Sequence, residues 1–364
     1  MFSLSSLLLR KISNSFSLTN LLLQPIRSFR SKAALETLAK ASEEKIPNLI
    51  LYNYPSFSGA FAALFAHLYH SHLNLPYLIL PFSFVEPLRV DDLKIEGVEI
   101  CYLLDFIGPK GFATELSRSV SQVIVFDHRN SSISKIPKEE DCPENLKINI
   151  NVEKSSSTAV YNYFSSKLKE ATSTSGDDVS LVHCEDKDSL ETVLKYIEDG
   201  DLRKWRLPDI KSFNVALSEM RSQLNCITNP YVFDQLLEVS PVDLVTRGNI
   251  YFSSRQNAAN KLLDRAFKVC LGRGLYGECL GIRTDKDFDL SNEIGKELSI
   301  RSAAAGLRPI GAVISMQRNN LKMCLRSADS DTDTSEIAKA YGGGGSPGSS
   351  SFIIRMDEYN KWIS

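Results

Sequence analysis

The sequence predicts an α/β protein: a parallel sheet in its N-terminal part, a helical connector, and a second domain of strands and helices. Three observations carry this. Val123 to Phe126 is a short, uncharged β-branched and aromatic run, as in a strand buried on both faces. Strand-like and helix-like stretches alternate from Pro47 to Phe126, which implies parallel strands with right-handed crossovers. After Gly248 the character changes, and the hairpin-like pair Pro309–Met316 and Leu321–Arg326 appears.

Taken in order, Pro47 to Tyr54 reads as the first strand and Pro55 to Gly59 as a tight turn. Ala60 to His70 reads as a buried helix, Leu75 to Phe84 as a strand, and Val98 to Ile107 as a strand ending at Asp105. Phe112 to Ser121 suits a helix leading into Val123 to Phe126, which stops at Asp127 and His128. Helices follow over Lys154–Lys169 and Asp188–Asp199, with a polar loop over Thr172–Asp178 between them. The pattern over 210–243 is helical, interrupted by Pro230 and Pro241. Beyond it, Ile250–Phe252 reads as a short strand, Arg255–Cys270 as a helix, Tyr276–Ile282 as a strand and Asp289–Ala305 as a helix. Arg318-Asn319-Asn320 joins the hairpin, with Asn supplying positive φ. Asp333 and Glu336 are placed to cap a helix that runs into Gly342-Gly343-Gly344-Gly345. The domains expected are therefore 1–32 as a presequence, 46–209, a connector over 210–243, and 244–364.

The 364 residues suffice for two domains, and 43% hydrophobic with 24% charged residues is the composition of a globular protein. Residues 1–35 hold Arg10, Lys11, Arg27, Arg30 and Lys32 and no acid; taking these five charges from the net −2 leaves −7 for the remainder. An acidic body argues against broad duplex binding, though not against a local basic cleft. The Ser-, Leu- and Arg-rich start is that of an organelle-targeting presequence, mitochondrial before plastid because Arg is prominent. Seven scattered Cys without a C-x-x-C pair argue against a disulfide framework or zinc site. No apolar run is long enough for a membrane span.

Asp105 and Asp127 each end a parallel strand, so both carboxylates should face the crevice where such sheets bind ligands. With His128 they could hold Mn²⁺ or a related ion, or move a proton; the plainer alternative is turn capping and packing. Glu198-Asp199-Gly200-Asp201 adds carboxylates or is simply a solvated helix end. The glycine run Gly342–Gly345 with Ser346 could bring backbone close to an anion, with Arg326 nearby, or serve as a linker. His67, His70 and His72 read as helix packing and surface exposure, the Ser155–Thr158 cluster as a helix cap, and His183-Cys184 as core at the sheet edge.

Together these residues resemble the DHH phosphoesterase superfamily, a DHH domain followed by a DHH-associated domain, over residues 46–360. Asp127-His128-Arg129 stands at the Asp-His-His signature, and Asp105 in Leu103-Leu104-Asp105 at the preceding motif. Tyr196 to Leu202 matches the acidic motif; Leu325-Arg326-Ser327 and Gly342–Gly345 match the second domain's substrate-binding motifs. The nearest likeness is to the plant-like subgroup. The resemblance implies a parallel-sheet DHH domain and a mixed-sheet associated domain. It also implies Mn²⁺-dependent (or Mg²⁺-dependent) hydrolysis of phosphodiesters in short single strands or nucleotides, with Asp127 and His128 at the catalytic centre. A homodimer is compatible with it.

The sequence departs from the family pattern in one direction. Asn53, Ser56 and Ser58 stand at first-motif ligand positions, Arg129 replaces the second His of the signature, and Ser346 replaces the His of the glycine motif. Neutral Asn and Ser hold a divalent ion poorly, and Arg129 brings a cation that never deprotonates. Three readings stay open. The first is a weakened or inactive member that binds phosphate or nucleic acid through Arg129, Arg326 and Gly342–Ser346. The second is an active enzyme with one metal on Asp105, Asp127, His128 and Asp199. A scaffold with an empty cleft is the third, and in it no cofactor is bound.

Overall fold

The computed structural model describes residues 31–172 and 179–363. They form two compact units, one of the residues up to Lys204 with Met220–Val239, the other of Trp205–Glu219 with the chain from Ser240 onward. The expected presequence falls outside the described residues except at Ser31 and Lys32, and so does most of the polar loop at Thr172–Asp178.

The first unit runs α1 (Lys32–Glu43), β1 (Asn48–Tyr54), α2 (Phe57–His72), β2 (Tyr77–Ser83), β3 (Ile100–Leu104), α3 (Phe112–Leu116), β4 (Gln122–Asp127), α4 (Asn130–Ile133), β5 (Leu146–Ile150), α5 (Ser156–Thr172) and α6 (Cys184–Asp201). After α7 (Ile210–Ser218), part of the second unit, it resumes with α8 (Val232–Leu237). All neighbours in its five-stranded sheet, ordered β2-β1-β3-β4-β5, pair in parallel. That order reverses direction between β1 and β3, the place where such sheets open a crevice beyond their strand ends. Leu49, Leu51, Leu103, Val123 and Val125 point to one face with Ala34, Leu38 and Leu116. On the other face α2 is buried from Phe57 through Ala66 and packs against α5, which explains its apolar circumference. The buried Tyr52 hydroxyl donates to the Leu224 carbonyl at 2.6 Å and accepts from Cys226 N at 3.0 Å, fastening the returning segment to the sheet.

The second unit adds α9 (Pro241–Leu262), β6 (Phe267–Cys270), β7 (Glu278–Arg283), α10 (Ser291–Ala304), β8 (Ile310–Gln317), β9 (Asn320–Ser327), α11 (Ser335–Ala340), β10 (Gly344–Ser346), β11 (Ser349–Arg355) and α12 (Met356–Tyr359). Its six-stranded sheet is mixed, ordered β10-β11-β9-β8-β7-β6, with only β7 and β8 parallel. Ile294, Leu298, Val313 and Cys324 pack α10 onto one face, and Trp362, fully buried, closes the other with Phe352 and Ile337. Thus the α/β class, with a parallel sheet followed by a mixed one, is what the sequence predicts.

Several element readings need correction. Phe57–Gly59 open α2 rather than belong to a turn, because Ser56 caps the helix. Phe112–Ser121 holds only the short α3. Ile250–Phe252 lies within α9, where the Ser240-Pro241 start sets a helix that overrides β propensity. Phe267–Cys270 is strand β6, not the end of a helix. At the hairpin Arg318, not Asn, carries the positive φ of 54°. His183 and Cys184 are exposed at the start of α6; the buried residues beside them are Leu181 and Val182.

Candidate functional site

The crevice at the β1/β3 reversal gathers Asn53, Ser56, Asp105, Asp127, His128 and Arg129 of the predicted residues. Asp105 follows β3 with φ of 66°, a left-handed conformation that Asp tolerates, and its side chain is fully buried. Asn53 Nδ2, Ser56 Oγ and Arg129 Nη2 all donate to Asp105 Oδ2, at 2.9, 2.6 and 3.0 Å. Ser56 also caps α2 by accepting from Gly59 N at 3.3 Å, which puts the positive end of that helix beside Asp105. Gly59 is required here, since a Cβ would lie 2.4 Å from the Asn53 carbonyl oxygen.

Asp127 closes β4 and is 3% exposed. Its Oδ1 accepts from His128 N at 2.8 Å, Arg129 N at 3.2 Å and Arg129 Nη1 at 3.2 Å; its Oδ2 accepts from Ser132 Oγ at 2.5 Å. Arg129 Nη1 also donates to the Asp105 carbonyl at 2.9 Å. The guanidinium therefore lies between the two carboxylates. His128 Nδ1 is 3.1 Å from Asp105 Oδ1 and 3.0 Å from Ser156 Oγ, and one N–H cannot lie on both axes; no donor is aligned with Oδ1. Burial resists charge on the imidazole, but the Asp105 carboxylate outweighs it and raises the His128 pKa. Burial likewise pushes Asp105 up, and His128 and Arg129 together bring it below the ordinary value.

Ser58 is buried one step behind this ring, its Oγ accepting from Ser157 N at 3.0 Å. Ser155 N donates to Glu198 Oε2 at 3.0 Å and Thr158 N to Ser155 Oγ at 3.2 Å, so the serine cluster caps α5. In the acidic motif, Asp199 and Asp201 stand two residues apart in the last turn of α6, ~200° around the helix. Asp199 is buried but is not one of the converging groups. Asp201 is the one that faces Asp105, His128 and Ser58, and burial pushes its carboxyl up to about 6. The phase of α6 is the signal that separates the two, and it is visible only once the helix end is placed.

Among the described residues, Asp105, Asp127 and His128 bring ligand atoms within 4.8 Å of one another. A divalent ion needs free oxygen lone pairs around it. Here three of the four carboxylate oxygens already accept two or three protein donors, and the space between them holds a guanidinium. This donor set suits Arg129 rather than Mn²⁺ or Mg²⁺.

The second unit holds a separate cavity of about 230 Å³, lined by Phe288, Lys322, Arg326, Gly344 and Ser349 among others. Lys322, Cys324 and Arg326 alternate along β9, opposite Ile353, Ser351 and Ser349 of β11 respectively. They share the sheet face that α10 covers at Cys324. The Arg326 stem lies against Gly295 of α10, where a Cβ would meet its Cγ at 2.7 Å, and its Nε donates to Asn292 Oδ1 at 3.3 Å. Lys322 Nζ sits 5.1 Å above the Phe288 ring. In the glycine run, the amides of Gly342 and Gly343 donate to Lys339 and Ala338 carbonyls and close α11, while Gly344 and Gly345 belong to β10. Ser346 is exposed at the β10–β11 turn and does not line the cavity.

Of the helical histidines, His67 stacks on Phe233 and bonds the Tyr77 hydroxyl at 2.7 Å, His70 is buried among aromatic rings, and His72 is exposed.

No family model matches this chain, and a search of curated protein sequences returns no relative. It is similar to several solved structures. RecJ from Thermus thermophilus, in complex with Mn²⁺, is 14% identical over 93% of this chain and 54% of that chain, with TM-score 0.32. The pGpG-specific phosphodiesterase PggH of Vibrio cholerae is 12% identical over 87% and 95%, with TM-score 0.31. An exopolyphosphatase-related protein of Bacteroides fragilis is 14% identical over 91% and 94%, with TM-score 0.31. These superpositions are loose, and the architecture above rests on this chain's own strand order. No helix among the described residues is long and apolar enough to cross a membrane.

Proposed function

We propose that this chain is a DHH-superfamily phosphoesterase homologue that binds phosphate-bearing ligands, short single strands or nucleotides, without hydrolysing them. The cavity of the second unit is the observation that carries it. Two cations, Lys322 and Arg326, stand on one strand face beside hydroxyl-bearing and glycine residues, which suits the oxygens of a phosphate and leaves room for them. Neither cation is paired with a carboxylate in the contacts that hold it. Binding is tested with labelled short oligonucleotides and mononucleotides at low salt. Arg326→Ala should weaken binding roughly tenfold and reduce the salt slope by ~1. No binding at low salt, or binding indifferent to Arg326→Ala, would remove the basis of this reading.

A competing reading is hydrolysis with a single metal on Asp105, Asp127 and His128, without the fourth ligand expected at Asp199, which does not converge with them. It is favoured by the convergence of these three groups and requires Arg129 to leave them. We also propose mitochondrial delivery by the basic, acid-free N-terminal segment, with the plastid as the alternative. A reporter fused to residues 1–35 that stays in the cytosol would refute it.

A further inference from the structure

We propose that Arg129 is the resident cation of the crevice in the first unit. Its guanidinium bridges Asp105 and Asp127 permanently, so the strand ends are held without a divalent ion and none is taken up while Arg129 is present. This concerns the first unit alone and does not depend on phosphate binding in the second.

The hydrogen bonds at the two carboxylates point the opposite way from those of a metal centre. In a metal centre, lone pairs of the surrounding side chains point at the ion. Here the groups around Asp105 Oδ2 point protons at it: the amide of Asn53, the hydroxyl of Ser56 and Nη2 of Arg129. Around Asp127, Arg129 Nη1, Ser132 Oγ and two backbone N–H groups do the same. Three of the four carboxylate oxygens are acceptors saturated by protein, and the fourth, Asp105 Oδ1, has His128 Nδ1 at 3.1 Å.

Charge leads to the same conclusion. Asp105 and Asp127 are 0% and 3% exposed, and a buried carboxylate without a partner is costly. Something cationic must stand between them. A planar guanidinium can reach two carboxylates and a carbonyl at once, which a lysine ammonium cannot match in geometry. Nη1 serves the Asp105 carbonyl and Asp127 Oδ1, at 2.9 and 3.2 Å, while Nη2 serves Asp105 Oδ2. The left-handed backbone at Asp105 allows its carbonyl and its carboxylate to be used by the same guanidinium. Arg129 thereby ties the end of β4 to the end of β3, and Asn53 adds β1 through Asp105. The replacements at Asn53, Ser56 and Arg129 then form one coherent change, from metal acceptors to carboxylate donors.

The test uses the full chain, stripped with chelator. Mn²⁺ is titrated and free ion is followed by its magnetic-resonance signal, with thermal unfolding measured in chelator and in Mn²⁺. The wild type is expected to leave the free-ion signal unchanged and to unfold at one temperature in both conditions. Arg129→Ala is expected to unfold roughly 6–12 °C lower, and millimolar guanidinium should restore part of that loss where equal sodium chloride does not. Saturable Mn²⁺ uptake by the wild type that Asp105→Asn abolishes would overturn the proposal. So would an Arg129→Ala protein as stable as the wild type. Should Arg129→Ala fail to fold, the wild-type titration still decides.

Discussion

Replacing Asp201 by Asn should make the protein more stable at neutral pH. The Asp201 residue is partly exposed, yet its Oδ2 is sealed from solvent and has no hydrogen-bond partner. Burial and then the nearby Asp105 charge move its carboxyl from the ordinary 3.8 to about 6. The folded state therefore holds this proton more tightly than the unfolded chain does. Its contribution is fully present below pH ~4, declines as pH rises toward 6, and stays lost above that. The displacement corresponds to up to about 3 kcal/mol. Asn keeps the shape and cannot ionise. Urea unfolding between pH 4 and 8 should show wild type and Asp201→Asn alike near pH 4, with the variant ahead by about 2–3 kcal/mol at pH 7. A difference that does not change with pH would refute the electrostatics assigned to the crevice.

Two structural predictions accompany it. Gly59→Ala should cost about 2–3 kcal/mol by urea unfolding, because its Cβ would lie 2.4 Å from the Asn53 carbonyl oxygen at the start of α2; an unchanged midpoint would contradict that packing. Tyr52→Phe should cost about 1–3 kcal/mol, because it leaves the Leu224 carbonyl and the Cys226 amide without their shared hydroxyl; a neutral result would mean water replaces it.

The central strands were legible because burial on both faces makes them continuous apolar runs. β5 was not: Leu146-Lys147-Ile148-Asn149-Ile150 alternates because it is an edge strand, and five residues between turns give little signal. That Asp105, Asp127, His128 and Arg129 lie together is legible in the sequence, since strand ends of a parallel sheet share a rim. What the sequence could not show is which partner each takes. Asp199 and Asp201 differ only by helix phase, and the first two glycines of the run look like anion binders until the end of α11 claims their amides. Lys322 and Phe288 become part of a cavity only through strand alternation and the placement of α10.

The most direct test of the account compares the natural protein with an Asn53→His, Ser58→Asp, Arg129→His variant on a short labelled oligonucleotide in Mn²⁺. The natural protein is expected to bind without cleaving, and cleavage is expected only where ligands have been restored. Cleavage by the natural protein, abolished by Asp127→Ala, would contradict the account.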